Sequence, residues 1–380
     1  MNTGTPPVGC KEAETSSGSP AGITPVRDVS SRIAPPSQEL RDYLRTLPSG
    51  VSARRHARSL CPVFDTVEAG SAAVGPSHSG SEMRIAFWNA ERCKFLDETA
   101  DLIRAAGVDA VLLAEMDRGM ARSGNRHTPR DLADRLGWSY LYGVEFVELG
   151  LGDSRERNWH RGAGNDEGLH GNAILSRFPL RDPVLLRLDD GATWFEEPAD
   201  GQRRVGGRMA LGARFRLAGR DIALVAVHVE SRSGPAERAR QIGLLLDAVD
   251  AAYPDTPVLI GGDFNTCTLV RPGENTAERR QALVKKDASR FVRPVPFEPL
   301  FAAAETNGYD WQACNRLGCP TQRTRPDGTP APPLGKLDWF LTRGLEADDT
   351  VVLPALAPNG LAISDHDMIV VSVRLPEIQR

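Results

Sequence analysis

The chain has 380 residues, 41% hydrophobic and 25% charged, enough apolar material for one large domain or two average ones. A net charge of -4 and a pI near 6.0 exclude a general polyanion-binding surface, though not a local basic patch. No apolar run reaches a membrane span, residues 1–17 lack the basic start and apolar centre of a secretory signal, and six cysteines are too few for a disulfide scaffold; a cytoplasmic protein is expected.

Residues 1–82 are rich in Gly, Pro, Ser and Thr, show no sustained periodicity, and include Cys10 and Cys61. They are expected to be a disordered or loosely ordered leader, dispensable for catalysis, ahead of a domain spanning residues 83–380. One patch, SQELRDYLRTL, places Leu40, Tyr43, Leu44 and Leu47 at helical spacing behind a Ser37 cap, a candidate docking helix. From Arg84 the texture changes. RIAFWN reads as a buried strand ending at Asn89, a helix follows over residues 96–106, and DAVLLAE is a second strand ending at Glu115. A strand, helix, strand unit demands a crossover, and the ends of such strands form the crevice where ligands sit. Glu115 at that place is either solvated or bound to a cation.

A helix over residues 128–136 and the strand SYLYGVEF lead into a long polar loop, residues 148–168, with Trp159 and His160. LHGNAILSRFPL then carries His170 and Asn172 at a strand edge, and a second loop, residues 189–207, holds Trp194, Arg203 and Arg204 as substrate contacts or solvated arginines. RMALGARFRL and IALVAVHVES are an expected antiparallel pair joined at residues 218–220. The second bears His228, which in isolation fits a hydrogen-bonded core histidine as well as a catalytic one. A helix with Ile242, Leu245, Leu246 and Val249 on one face leads into PVLIGGDFNTCT, residues 257–268. There Val258, Leu259 and Ile260 read as a strand buried on both faces. Gly261 and Gly262 allow a bend or a close ligand, and the two-residue period puts Asp263 and Asn265 on one face. A tight turn would use the same residues. After an irregular stretch with a helix near residues 298–306, three strands close the domain: KLDWFLTR, TVVLPAL and DMIVVSVRL. Asp338 lies in the first, and Ser364, Asp365 and His366 precede the last. Cys314 and Cys319, without a second pair, are expected to be free thiols rather than a metal knuckle.

With GNAILSR, GGDFN and SDH in this order, the chain resembles the endonuclease/exonuclease/phosphatase superfamily from residue 83 to about residue 375. That superfamily includes deoxyribonuclease I, exonuclease III, neutral sphingomyelinases and inositol polyphosphate 5-phosphatases. The resemblance implies a four-layer α/β sandwich, two mixed β-sheets face to face with helices outside, and a Mg²⁺-dependent (or Mn²⁺-dependent) phosphoesterase that attacks a phosphodiester or phosphomonoester with activated water. Carried over by position, Glu115 matches the principal metal ligand, with Asn89 beside it and Asp365 as an acidic residue near the metal. Asp263 matches the residue that orients or deprotonates the water, and Asn265 steadies water or phosphate. His228 matches the phosphate-binding or leaving-group histidine, and His366 a second histidine with Asp338 as its carboxylate partner. Asn172, His170, Arg203 and Arg204 are candidate substrate contacts. WNAER departs from the pattern, since Glu91 stands where exonuclease III relatives carry a second Asn. Two other readings remain: a nuclease acting on DNA or RNA, and an inactive phosphate-binding scaffold, which the intact residue set disfavours. The expected partner is a phosphoester substrate (a small molecule, lipid head group or nucleic acid) for a monomer with no transmembrane segment and no protein partner. Outside the leader 38 basic residues face 42 acidic ones, which favours a substrate smaller than long duplex DNA.

Overall fold

The computed structural model describes residues 23–71, 80–267, 276–323 and 334–377; Cys10, the readings of residues 1–17, and Thr268 at the end of the GGDFN stretch lie outside the described residues. Fourteen strands are present among the described residues: β1 Val29–Ser30, β2 Val67–Gly70, β3 Glu82–Arg92, β4 Ala110–Arg118, β5 Ser139–Glu148, β6 Leu169–Ser176, β7 Arg181–Arg187, β8 Arg204–Gly206, β9 Met209–Leu217, β10 Arg220–His228, β11 Val258–Asp263, β12 Asp338–Arg343, β13 Glu346–Leu353 and β14 Met368–Arg374. They form two sheets. One runs β1-β2-β5-β6-β4-β3-β14-β13 with β8 added beside β5, and the other runs β12-β11-β10-β9-β7. Both are mixed: β3 pairs β4 and β10 pairs β11 in parallel, while β9–β10, β11–β12 and β3–β14 are antiparallel.

The strand residues alternate between two buried environments, so the central strands read as continuous apolar runs. Ile85, Phe87, Leu112 and Ala114 face Leu211, Leu224, Leu259 and Phe340 in the core between the sheets. On the other side of the first sheet, Ala86, Trp88, Val111 and Leu113 pack on α1 (Leu96–Ala106) and α2 (Thr128–Leu136) through Ala100, Ile103 and Leu132. Outside the second sheet, Val225, Val227 and Ile260 pack on α3 (Pro235–Ala252) through Ile242, Leu245 and Val249. Helices, sheet, sheet, helices is the four-layer sandwich expected. The two glycines of β11 owe their place to packing rather than to bending: a Cβ at Gly261 would lie 2.9 Å from both Leu112 Cδ1 and Phe340 Cε1, and one at Gly262 would lie 2.4 Å from Val227 Cγ1.

The leader departs from expectation. Residues 26–70 are packed: Val26 pairs with Leu185, β2 extends the first sheet beside β5, and helices Gln38–Thr46 and Val51–Ser59 dock on the body. The first of these is the docking helix read from its spacing, capped by Ser37, whose hydroxyl accepts from Leu40 N at 3.2 Å. Its missed neighbours contribute Ala57, Cys61, Val63, Phe64 and Val67 to the core. VSARRHARS shows no apolar stripe and VEAG is only four residues, so the Gly, Pro and Ser around them dominated the composition. Glu68 makes the segment integral. Its buried carboxylate accepts from Arg118 Nη1 and His127 Nε2 at 2.5 Å each, Ile33 N at 2.8 Å and Tyr140 Oη at 2.9 Å. Burial alone would raise its pKa, but His127, the Ile33 N–H and Arg118 hold it down to about 2. Among the described residues no helix is long and apolar enough to cross a membrane, and Cys314 and Cys319 are free thiols.

Candidate active site

Three adjacent strand ends of the second sheet set the central row. In register, His228 at the end of β10 pairs with Asp263 at the end of β11, and Asp263 pairs with Asp338 at the start of β12. The first sheet adds Asn89, whose Nδ2 donates to Asp263 Oδ2 at 3.1 Å across the seam. His366 arrives on the turn before β14, which is sewn to β3. Ser364 Oγ donates to Asn89 O at 2.7 Å and accepts from His366 N at 3.0 Å, and Trp88 Nε1 donates to His366 O at 2.9 Å. His228 Nε2 and His366 Nε2 each lie 3.7 Å from Asp263 Oδ2, and His366 Nδ1 is 2.9 Å from Asp338 Oδ2.

Asn265 lies beyond the strand with φ 51°, so the two-residue period does not place it beside Asp263. Its backbone N–H donates to Asp263 Oδ1 at 2.9 Å, and its Nδ2 is committed to Val229 O at 2.9 Å. The pair is a capped strand end: the asparagine fixes the aspartate. Glu115 likewise does not end its strand. β4 runs on to Arg118 past a bulge, where Glu115 takes φ 60° and its side chain is re-aimed, and β3 breaks register just after Asn89, with Glu91, Arg92 and Cys93 all at positive φ. Left-handed backbone at non-glycine residues is costly and clusters at functional sites; here it gathers at Asn89's flank.

The two histidines sit in opposite fields. Burial would lower the pKa of His366, but Asp338 and then Asp263 reverse that and hold it well above the ordinary imidazole value. His228 is held well below that value by burial, then by the Arg208 guanidinium, with His170, His366 and Arg92 adding positive charge. Burial pushes the Asp263 carboxyl up to about 6, aided by Asp338 and opposed by His366, the Asn265 N–H and Asn89.

Asp263, Asp338 and His366 carry ligand atoms within 4.8 Å of one another. That trio is an ion-pair chain with the imidazole between its carboxylates, and a metal there would have to displace a made bond. The oxygen donors beside Asn89 suit a hard cation better. Glu115 sits beside Asn89 across the β3–β4 pair, and Asp365 N donates to Glu91 Oε2 at 3.1 Å. In this arrangement Glu115 is ion-paired with Arg92, which also reaches Glu156 at 3.3 Å. Glu91 holds Lys94 at 2.8 Å, and burial followed by the Asp365 charge pushes its carboxyl up. Glu115, Asp365 and Asn89 offer oxygen donors of the kind a hard divalent ion prefers, with Arg92 paired to Glu115 and Asn89 Oδ1 accepting from Glu91 N at 3.2 Å.

The four expected substrate contacts are otherwise employed. Arg203 donates to Leu47 O at 2.6 Å, Pro48 O at 2.9 Å and Phe195 O at 3.1 Å, tying down the N-terminal segment. Arg204 is buried, 2.9 Å from Glu148, with its guanidinium over Trp194 and Phe146. His170 is buried with Nδ1 2.7 Å from Asp117 Oδ1, and Asn172 is buried with Nδ2 donating to Met209 O at 3.1 Å between the sheets. Buried polar side chains take internal partners where they can; Asn172 Oδ1 is left without one. Sequence reasoning overlooked Glu145 and Glu230, which hold Arg208 at 3.0 Å each. The one local signal was a glutamate standing alone in the apolar strand SYLYGVEF.

The family model described as the Endonuclease/Exonuclease/phosphatase family matches residues 86–366. No curated protein matches the chain. Among solved structures, an endonuclease/exonuclease/phosphatase from Beutenbergia cavernae superposes with a TM-score of 0.51 at 20% identity, covering 78% of this chain and 72% of that one. A family protein from Bacteroides vulgatus gives 0.47 at 16% identity over 78% and 99%. The human Nocturnin catalytic domain gives 0.47 at 16% over 83% and 98%. The match over three quarters of the sequence, on a sandwich whose strand ends carry the motif residues together, means that the chain belongs to the endonuclease/exonuclease/phosphatase family.

Proposed function

We propose that the chain is a divalent-metal-dependent phosphoesterase that hydrolyses a phosphodiester or phosphomonoester with a water activated at Asp263. Members of the family are generally hydrolases of phosphoester bonds and generally use a divalent metal. The observation that carries the reading is the Asp263 carboxylate, fixed by the Asn265 N–H and Asn89 while two imidazole Nε2 atoms stand 3.7 Å away, too far to consume it. Such a carboxylate, with its pKa near 6, is ionised at neutral pH and matched to taking a proton from water. His366, kept cationic by Asp338, presents its Nε2–H to the leaving oxygen, and His228 presents its own face to the phosphoryl group. Glu115, Asp365 and Asn89 would hold the metal, which when bound neutralises charge on the phosphoryl oxygens.

A small substrate fits better than a long duplex. Arg203, Arg204 and Arg208 are spent on internal partners. In the loop of residues 148–168, Arg155 pairs with Asp153 at 2.8 Å, Arg157 donates to Gly152 O at 2.8 Å and Arg161 to Asn158 at 3.0 Å. Cations already paired cannot release many counterions from a polyphosphate. The test is a screen with Mg²⁺ or Mn²⁺ across soluble phosphate esters, phospholipid head groups and nucleic acids, with chelator and Asp263→Ala as blanks. Metal-dependent hydrolysis of a small ester, absent in both blanks, is expected. Hydrolysis that survives Asp263→Ala, or none in any class, would overturn the reading, and plasmid cleavage with a steep salt slope would transfer it to nucleic acid.

A further inference from the structure

The two ring nitrogens of His228 meet different neighbours. Nε2 faces Asp263, whereas Nδ1 lies 2.9 Å from Arg208 Nη1, with Glu145 Oε2 at 3.7 Å. A guanidinium offers hydrogen-bond donors only and does not lose its charge in proteins, so the nitrogen it contacts must present a lone pair. Arg208 is not free to withdraw. It is buried, its Nε donates to Glu230 Oε2 and its Nη1 to Glu145 Oε1 at 3.0 Å each, and Trp194 Nε1 holds the same Glu230 oxygen at 2.8 Å. The rings of Phe146 and Trp194 lie 5.3 and 6.0 Å from its guanidinium carbon. His366 has the reverse arrangement, with a carboxylate at Nδ1.

We propose that Arg208 is a positioning residue that holds His228 as the neutral tautomer with its proton on Nε2, so that His228 donates a hydrogen bond to the phosphoryl oxygen and takes no part in proton transfer. The identity of that acceptor rests on the phosphoesterase reading; the tautomer does not. Protonating Nδ1 would set two N–H groups against each other and two cations side by side, with His366 and Arg92 adding to the repulsion. Of the carboxylates facing the ring, Asp263 lies on the Nε2 side. Glu145 keeps Oε1 on Arg208, and its Oε2, buried and without a hydrogen bond, stands 3.7 Å from Nδ1, beyond hydrogen-bond distance. The work is thus divided. The water proton goes to Asp263, the leaving oxygen is served by His366, and His228 supplies a fixed dipole, which costs no reorganisation in the transition state.

The test is NMR of the full-length protein with isotopically labelled histidine ring nitrogens, the His228 signals being those absent from His228→Gln. The expected result is an unprotonated Nδ1 and a protonated Nε2 from about pH 5.5 to about 8. Arg208→Met should make His228 titrate within that window and lower kcat by about tenfold or more with a smaller change in KM, while Arg208→Lys keeps the wild-type tautomer. A wild-type His228 that carries a proton on Nδ1, or that titrates in this window, overturns the proposal, as does an Arg208→Met protein whose His228 behaves as in the wild type. If Arg208→Met does not fold, the wild-type spectrum alone decides. A wild-type protein with the expected tautomer that hydrolyses no phosphoester would count against the phosphoesterase reading and leave the tautomer standing.

Discussion

Two buried polar clusters differ in how their charges are settled. Around Arg122 every charge meets an opposite one: the guanidinium spans both oxygens of Asp117 at 2.9 Å, Glu156 at 3.1 Å and Glu148 at 3.2 Å, and Glu148 is shared with Arg204. Around Asp263 the settlement is incomplete. Both facing imidazoles stop at 3.7 Å, and the buried Asp338 Oδ1 has no hydrogen-bond partner. Burying an ion costs several kcal/mol unless partners compensate it, so a saturated network holds shape and an unsaturated one is kept for something that arrives. On that ground the Arg122 cluster is assigned to structure and the Asp263 cluster to the proposed chemistry.

Removing compensation from a saturated cluster should have the largest effect. Truncating the chain to begin at residue 80 deletes Glu68 and leaves buried Arg118 and His127 without their acceptor. A stability loss of more than ~4 kcal/mol is expected, read as lost soluble yield and a collapsed thermal transition; a truncated protein that melts like the full chain would return residues 23–71 to the status of a leader. Asp263→Asn should do the opposite, lowering kcat by about 10³-fold while leaving the melting temperature unchanged or higher, because it removes a buried charge and the proposed base together. Retained turnover would place the base elsewhere. Arg122→Met should cost about 3 kcal/mol in urea unfolding, since Asp117, Glu148 and Glu156 lose their shared cation. A loss below ~1 kcal/mol would show that the carboxylates find other partners. The smallest effect is in pH. Asp263 must be ionised to accept a proton, so kcat/KM should fall about tenfold per unit as pH drops below about 6, and a flat profile there would mean that its carboxyl titrates lower.

Unbroken apolar runs and helical spacing made the central strands and α1, α2 and α3 legible, because those signals are local and a strand buried on both faces reads as a continuous apolar run. The motif residues at the strand ends were legible for the same reason, although the bulge that re-aims Glu115 and the left-handed turn at Asn265 were not. The helix Val51–Ser59 and β2 escaped notice because VSARRHARS carries no apolar stripe and VEAG is only four residues long, whereas the nine-residue helix Gln38–Thr46 showed its period. What the chain order by itself determined was which elements form and which polar groups end them. Only the tertiary structure decided how those groups are spent: Arg203 on the N-terminal segment, Arg204 on Glu148, Arg208 on His228. A charge's meaning depends on partners such as Glu145, 63 residues from Arg208, or Glu68, 50 from Arg118, and no local pattern encodes a contact that exists only once two sheets have closed.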